Sequence, residues 1–377
     1  MVNIFLLIFF VILLFNYLFF LKSVLSGLKK IKPCDEESSG EFISIIVPFR
    51  NESENILISL KSLNEQNYPE DKYEILYVND FSEDDSFQKL LSSEKSKNVK
   101  VLNVPADYLE NANKKRAVKY GIENSKGDII VTTDADCTHS QNWLKTLLQC
   151  MDEKTGFVSG PVEFMDGSSL FSKIQKLEFA GLVLTGAGLI GANKPTICNA
   201  ANIAYRKKTF IEVGGFNYKV KLSSGDDELL MQKIWRETNS KIKFCWDQEA
   251  VVKTISNSDL TQFYHQRKRW ASKGLFYGNK MLVFKLILIY FFYAGLITQV
   301  ALSLFVSINY LVLFILSIAL KYLLEYQIVK KGKKLLSLKN VIKFFPIAEF
   351  LQIPYIIIAG FSGVFGNYNW KQRKIKR

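Results

Sequence analysis

Asp128-Ile-Ile-Val-Thr-Thr-Asp-Ala-Asp136 decides how the rest of the chain reads, because an apolar, β-branched run ends there in two carboxylates. The run has the composition of a buried strand. If the strand frays into a turn, Asp134 and Asp136, one small residue apart, can both approach a single hard divalent cation. Mg²⁺ or Mn²⁺ suits oxygen ligands of this kind and keeps positions open for phosphate oxygens, which makes the pair a handle for a nucleotide diphosphate. Asp-X-Asp at a strand end is equally ordinary turn chemistry or a solvated cap, so the surrounding chain has to decide.

Upstream the same pattern repeats. Phe42 to Val47 is an apolar run stopped by Pro48, followed by Arg50, Asn51 and Glu52 and then a helical pattern on Ile56, Leu57, Leu60 and Leu63. Tyr73 to Val78 reads as a second strand, ending in Asn79, Asp80, Ser82, Asp84 and Asp85, and a third strand is expected around Val99 to Val104. A helix over Asn113 to Asn124 carries Lys114 and Arg116, and Gly127 breaks it before the strand that delivers Asp134. Strands alternating with helices predict an α/β fold with a mostly parallel, doubly wound sheet, whose ligands bind beyond the carboxyl ends of the strands. Glu52, Asp80 and Asp134 all fall there.

Downstream, Thr155 to Val162 reads as a strand ending at Gly160-Pro161, and Leu170 to Leu184 as a helix containing Glu178. Cys198-Asn-Ala-Ala-Asn-Ile-Ala-Tyr-Arg206 precedes a helix that ends at Gly214-Gly215. Ser224-Gly-Asp-Asp-Glu-Leu-Leu230 puts an acidic cluster at the opening of an amphipathic helix, where negative charge is favourable whether or not it does chemistry. The adjacent carboxylates of Asp226 and Asp227 can raise one another's pKa toward the range a general base needs. Gln266, Arg269, Trp270 and Lys273 fall at i, i+3, i+4 and i+7 of a helical stretch from Leu260 to Tyr277 and share one face, while Arg267 and Lys268 are expected to meet anionic lipid. His139 and His265 stand alone in polar segments and take no ligand role.

Together these stretches resemble the membrane-anchored family 2 glycosyltransferases of the cellulose and hyaluronan synthase-like branch, which have the GT-A, nucleotide-diphospho-sugar transferase fold. The resemblance runs from about Ser44 to Lys273. It implies that Glu52, Asp80, Lys114, Asp134 and Arg269 hold the donor nucleotide and that Asp134 and Asp136 hold the metal. It also implies that Asp227, with Asp226 beside it, is the catalytic base, and that Gln266 and Trp270 serve the acceptor. Where that family often has glycine, Ala200 stands, which bears on how closely a substrate approaches the backbone.

The 377 residues are 48% hydrophobic and carry a net charge of +13, and the apolar excess lies at the two ends. Expected in order are an anchor over 1–21, a cytosolic linker over 22–41, a catalytic domain over 42–259, and an amphipathic helix over 260–280. A transmembrane hairpin over 283–324, a basic loop over 325–340, a proline-broken re-entrant or crossing segment over 341–366, and a basic tail over 367–377 follow. Lysines and arginines flank the apolar runs, as the positive-inside rule requires of a cytosolic catalytic domain on the plasma or inner membrane. No basic and aromatic stripe suggests nucleic acid. Five cysteines without Cys-X-X-Cys spacing suggest reduced thiols. The expected activity is inverting, metal-dependent transfer of a sugar from a nucleotide-diphosphate donor, UDP-linked by preference, to a lipid, glycolipid or polysaccharide. The rivals are a catalytically inactive subunit of an envelope polysaccharide complex and a transporter. The uncharged spans speak against the transporter.

Overall fold

Nothing in the first 26 residues breaks a helix, and lysine propagates one, so the N-terminal apolar run continues past Leu21 as a single helix, α1 (Val2–Lys30). The expected linker therefore starts about ten residues later than composition suggested. The computed structural model describes residues 2–34, 40–108, 113–216, 225, 227–365, 368–370 and 373–375.

The α/β domain follows as β1 (Ile43–Phe49), α2 (Ile56–Asn64), β2 (Tyr73–Asn79), α3 (Ser86–Ser92), β3 (Val99–Asn103), α4 (Asn113–Glu123), β4 (Ile129–Thr132) and α5 (Trp143–Leu148). It continues through β5 (Thr155–Ser159), β6 (Val162–Phe164), α6 (Leu170–Gly191), β7 (Ile203–Arg206), α7 (Lys207–Glu212), α8 (Glu228–Glu237), β8 (Lys241–Phe244), β9 (Val252–Thr254) and α9 (Leu260–Ala271). The main sheet has the order β3-β2-β1-β4-β7-β5-β8 and is parallel except at β7, which runs antiparallel to β4 and β5. β1, β2, β4 and β5 are buried on both faces, which is why their sequences are continuous apolar runs rather than alternating ones. Ile45 and Val47 face α2 and α5, and Ile46 faces α4 and the long helices.

Two sequence expectations need correction here. β1 runs through Pro48 to Phe49, because β4 pairs only with Ile43–Ile46 and the proline lies where one side of the strand has no ladder to lose. The stretch from Thr155 to Val162 is two strands. Gly160-Pro161 separates β5 in the main sheet from β6, which pairs with β9 in a second sheet.

Three long helices complete the chain: α10 (Lys280–Phe305), α11 (Asn309–Gly332) and α12 (Phe345–Phe365), followed by the hairpin β10 (Tyr368–Trp370) and β11 (Arg373–Ile375). The turn between α10 and α11 falls at Val306–Ile308. Among the described residues five helices, α6 among them, are long and apolar enough to cross a membrane. Both ends of α6 rejoin strands of one α/β domain, so α6 cannot cross. It lies against α1 instead, through glycines: a Cβ added to Gly188 would stand 2.5 Å from the Val24 carbonyl oxygen. Within the apolar segment expected to be broken by proline, Phe345–Phe365 is one continuous helix, entered through a short 3₁₀ turn at Ile342–Phe344. Pro346 falls in its first turn, where no N–H bond is lost, and the helix accommodates Pro354. Its approach touches α6, with Lys173 Nζ 5.6 Å from the Phe344 ring centroid. Its last turns lie on α9, where a Cβ at Gly363 would be 3.1 Å from the Lys268 carbonyl oxygen. Both ends of α12 thus stay beside the α/β domain, and β10 also packs on α9.

The expected hairpin over 283–324 is not free of charge inside the protein. Buried Lys321 pairs with Glu325 at 3.1 Å and with Glu349, and donates to Gln352 Oε1 at 2.8 Å. The Tyr17 hydroxyl donates to Glu325 and lies 2.9 Å from the Tyr293 hydroxyl, so one polar network joins α1, α10, α11 and α12. The cysteine expectation also fails, since Cys34 and Cys150 form a disulfide across 116 residues that no spacing rule reveals.

Ala at Gly188 would overlap the α1 backbone, whereas Ala at Gly181, with nothing within 4 Å of the added carbon, would only improve helix propensity. Thermal unfolding in detergent should therefore show Gly188→Ala losing stability, by about 1–3 kcal/mol, and Gly181→Ala unchanged or slightly stabilised. Equal behaviour of the two would mean that α1 and α6 are not held by close backbone contact.

Candidate active site

β4 stops at Thr132, and the next residues form a tight turn closed by the Cys137 amide on the Asp134 carbonyl at 3.2 Å. The turn turns Asp134 and Asp136 into the same cavity, so the fraying expected from the sequence does occur. His139 fixes the approach to it. One ring nitrogen lies 2.8 Å from the Thr133 hydroxyl, the other lies 3.0 Å from Ser62 of α2, and the ring packs 4.3 Å from Trp143. Burial pushes its pKa down to about 3, so it is neutral, and both nitrogens are spent on structure. Lys114, from the first turn of α4, pairs with Asp134.

Asp227 caps α8: its carboxylate accepts from the Glu228 amide at 2.7 Å and from the Ala200 amide at 3.1 Å. The Ala200 carbonyl in turn accepts the Thr132 hydroxyl at 3.0 Å. The residue that departs from the resembled pattern thus ties the end of β4 to Asp227 through its backbone. Burial raises the Asp227 carboxyl, but Lys273 at 3.8 Å, the Glu228 amide and Lys114 outweigh it and hold the group below the usual carboxylate range. Glu228 goes the other way. Burial pushes it up, partly opposed by Lys273 at 3.0 Å and by the Tyr277 hydroxyl at 2.9 Å. Asp227 is thus held low rather than raised as expected, because Lys273, the Glu228 amide and Lys114 together outweigh its burial. Asp226 lies outside the described residues.

α9 ends at Ala271, so Lys273 leaves the helix and is free to turn toward α8. Arg267 is not on lipid. It is buried, pairs with Glu178 of α6, and lies 4.3 Å from the centroid of the Trp270 ring. The Tyr355 hydroxyl of α12 donates to the same carboxylate at 2.5 Å. Gln266 accepts from Asn257 at 2.9 Å and from Arg267. The guanidinium of Arg269 lines the cavity, and among the described residues no carboxylate pairs with it.

Lys114, Asp134, Asp136, Asp227, Gln266, Arg269 and Trp270 thus converge on one cavity of about 760 Å³. Glu52 and Asp80 do not line it. They lie in two neighbouring loops at the ends of β1 and β2, which are cross-linked to each other. Arg50 donates to the Asp80 carbonyl at 3.1 Å and pairs with Glu83 at 2.6 Å, and the Asn51 amide donates to Ser82 at 3.1 Å. The Asp80 carboxylate accepts from Arg116 Nε at 3.0 Å, and the Glu52 amide donates to Ser86 at 2.8 Å. Asn51 and Phe81 hold left-handed backbone conformations, φ +51° and +59°, strain of a kind concentrated at functional sites. Sequence reasoning missed the roles of Lys273, Glu228 and the Arg267–Glu178 pair. The only signals were their charges in otherwise amphipathic stretches.

Residues 44–214 match the model of the Glycosyl transferase family 2 family. The poly-β-1,6-N-acetyl-D-glucosamine synthase of Staphylococcus aureus is 24% identical over 269 residues, 68% of this chain and 60% of that protein. The glycosyltransferase AglE of Haloferax volcanii is 29% identical over 187 residues, 49% of this chain and 59% of that protein. The chain therefore spans about 60% of the length of these curated relatives. Among solved structures, the mannosyltransferase PcManGT of Pyrobaculum calidifontis, in complex with GDP-Man and Mn²⁺, superposes with a TM-score of 0.57 at 19% identity, covering 96% of this chain and 97% of that one. The likeness is one of fold: a mixed α/β, GT-A type architecture with apolar helices toward both ends.

His139 gives a pH prediction. Above about pH 6.5 neither the folded nor the unfolded imidazole holds the extra proton. As the pH falls from there toward 3, the unfolded chain takes a proton that the folded site refuses, and stability drops by up to about 1.4 kcal/mol per pH unit. Melting temperature measured against pH should therefore fall more steeply for the native protein than for His139→Asn in that window. Parallel curves would mean that the imidazole titrates normally.

Proposed function

We propose that the protein is a membrane-bound, inverting glycosyltransferase that moves a sugar from a nucleotide-diphosphate donor to an acceptor at the cytosolic face of the membrane. The observation that carries this reading is the convergence of Lys114, Asp134, Asp136, Asp227 and Arg269, which come from four separate stretches of chain, on one cavity. The carboxylates of Asp134 and Asp136 are a hard oxygen pair suited to Mg²⁺ or Mn²⁺. Among the described residues no cluster of three metal-ligating side chains exists, so diphosphate oxygens would complete the shell. A divalent ion held there would offset the charge of the departing diphosphate.

The chain's own residues supply the rest. Arg269 offers a guanidinium fork to the diphosphate from the cavity lining, and Lys114 stands beside Asp134 as a second cation. Asp227, kept ionised by Lys273, accepts the proton of an acceptor hydroxyl. The hydroxyl oxygen attacks the anomeric carbon from the face opposite the diphosphate, so a single displacement inverts that centre. Trp270, with Arg267 against its ring and Phe179 5.8 Å away, is a fixed wall for the acceptor sugar or head group. The loops carrying Glu52 and Asp80 are assigned to the nucleoside, where UDP is favoured by the resemblance. The lysines in the last turns of α1 and α11 support a cytosolic orientation. The alternative reading is a catalytically inactive subunit of an envelope polysaccharide complex. Lys114 paired with Asp134 and an ionised Asp227 are what an active site needs and a scaffold does not.

Calorimetry with Mn²⁺ and UDP or GDP should detect binding to the native protein and none to Asp134→Asn or Asp136→Asn, because an amide is a poor substitute for a carboxylate on a hard dication. Asp227→Asn should keep nucleotide binding and lose roughly 10²-fold or more in transfer from a panel of UDP- and GDP-sugars. If donor affinity collapses in Asp227→Asn, that residue is structural. A native protein that turns over no donor in the panel would favour the inactive subunit.

In a separate titration of donor and acceptor, Arg269→Lys should weaken the donor, since an ammonium cannot reproduce the guanidinium fork. Trp270→Ala should weaken the acceptor. Equal losses on both axes in both variants would reduce α9 to a prop.

A further inference from the structure

One part of the cavity lining does no chemistry in the account above. It is walled by Leu286, Ile287 and Tyr290 of α10 and by Ile356, Ala359 and Gly360 of α12. No Asp, Glu, Lys or Arg of either helix is part of this wall. The longer polar groups that α12 brings to it are engaged with protein. The Gln352 amide oxygen accepts from Lys321 at 2.8 Å and from Tyr293 at 3.2 Å, and the Tyr355 hydroxyl donates to Glu178. α10, which carries three of these residues, is in all a helix of 26 residues, apolar and long enough to cross a bilayer. Among these six wall residues only the Tyr290 hydroxyl could bond a carbohydrate chain, whose other hydroxyls would be desolvated at a cost, whereas a hydrocarbon chain fits the apolar side chains.

From this continuity of an ionic end and an apolar, membrane-level end within one cavity, we propose that the acceptor is an amphiphile. Its hydroxylated head reaches Asp227 and its hydrocarbon tail lies between α10 and α12. The proposal rests on the transferase reading. In the step it implies, the head-group oxygen gives its proton to Asp227 and its lone pair to the anomeric carbon. The bond from that carbon to the diphosphate breaks, and its electron pair leaves with the nucleoside diphosphate. The product is a glycosylated lipid.

The test uses the full chain in phosphatidylglycerol vesicles, with a dialkylglycerol glucoside carrying a diazirine in one alkyl tail as the probe. A parallel arm supplies a total membrane lipid extract and radiolabelled UDP- or GDP-sugar. Two variants narrow the groove: Ile287→Trp, at a position 37% exposed where a larger side chain is accommodated, and Ala359→Leu. Expected are photo-crosslinks on peptides of α10 and α12, and sugar label in the chloroform-soluble fraction. Both should fall about tenfold or more in the variants, a loss of roughly one decade of affinity, while Mn²⁺-dependent nucleotide binding is unchanged. Label in a water-soluble glycan, crosslinks on other helices, or variants that behave as the native protein would each overturn the amphiphile proposal and leave the transferase reading standing. A native protein that binds no nucleotide would sink both, and the binding measurement separates that case from the others.

Discussion

Negative charge concentrated on one wall of a half-buried cavity must be balanced, and the arrangement of Lys114, Lys273 and Arg269 around Asp134, Asp136, Asp227 and Glu228 follows from that need. Two unit charges 4 Å apart interact by about 4 kcal/mol at an effective dielectric constant near 20, so removing one cation from a set this close is not a small change. Lys273 reaches both Asp227 and Glu228, and it does so because α9 stops at Ala271 and releases the chain toward α8. Lys114 does the same for Asp134 from the first turn of α4. Asp227 is left ionised and Glu228 is pushed toward its neutral form by burial, which divides the two neighbours into a proton acceptor and a hydrogen-bonded support.

Backbone geometry carries this electrostatic set. The Thr132–Ala200–Asp227 chain of hydrogen bonds fixes the distance between the carboxylate turn after β4 and the cap of α8. Behind it, Arg267, Glu178 and Tyr355 bind α9, α6 and α12 to one another, so the helix that presents Arg269 and Trp270 is anchored on two sides. α6 and α12 bring an apolar surface to the α/β domain without leaving it.

Much of this was legible in the sequence. The β-branched run into Asp134 and Asp136, the strand–helix alternation, and the one-face spacing of Gln266, Arg269 and Trp270 predicted both the sheet and most of the residues that share the cavity. What stayed hidden depends on partners far apart in the chain. Arg267 looked like a lipid-facing cation because Glu178 lies 89 residues away. The Cys34–Cys150 pair spans 116 residues. β7 has only four residues, too few for periodicity to mark, and nothing local says that it runs antiparallel. Pro48 and Pro354 misled in the same way, since a proline ends a strand or helix only where its missing N–H would have had a partner that nothing else replaces.

A structure of the full chain with Mn²⁺ and UDP or GDP tests the central claim most directly. The account predicts the diphosphate inside the cavity of about 760 Å³, an ion between it and the carboxylates of Asp134 and Asp136, and the Arg269 guanidinium on the phosphates. A nucleotide seated elsewhere, or an ion that avoids Asp134 and Asp136, would contradict it.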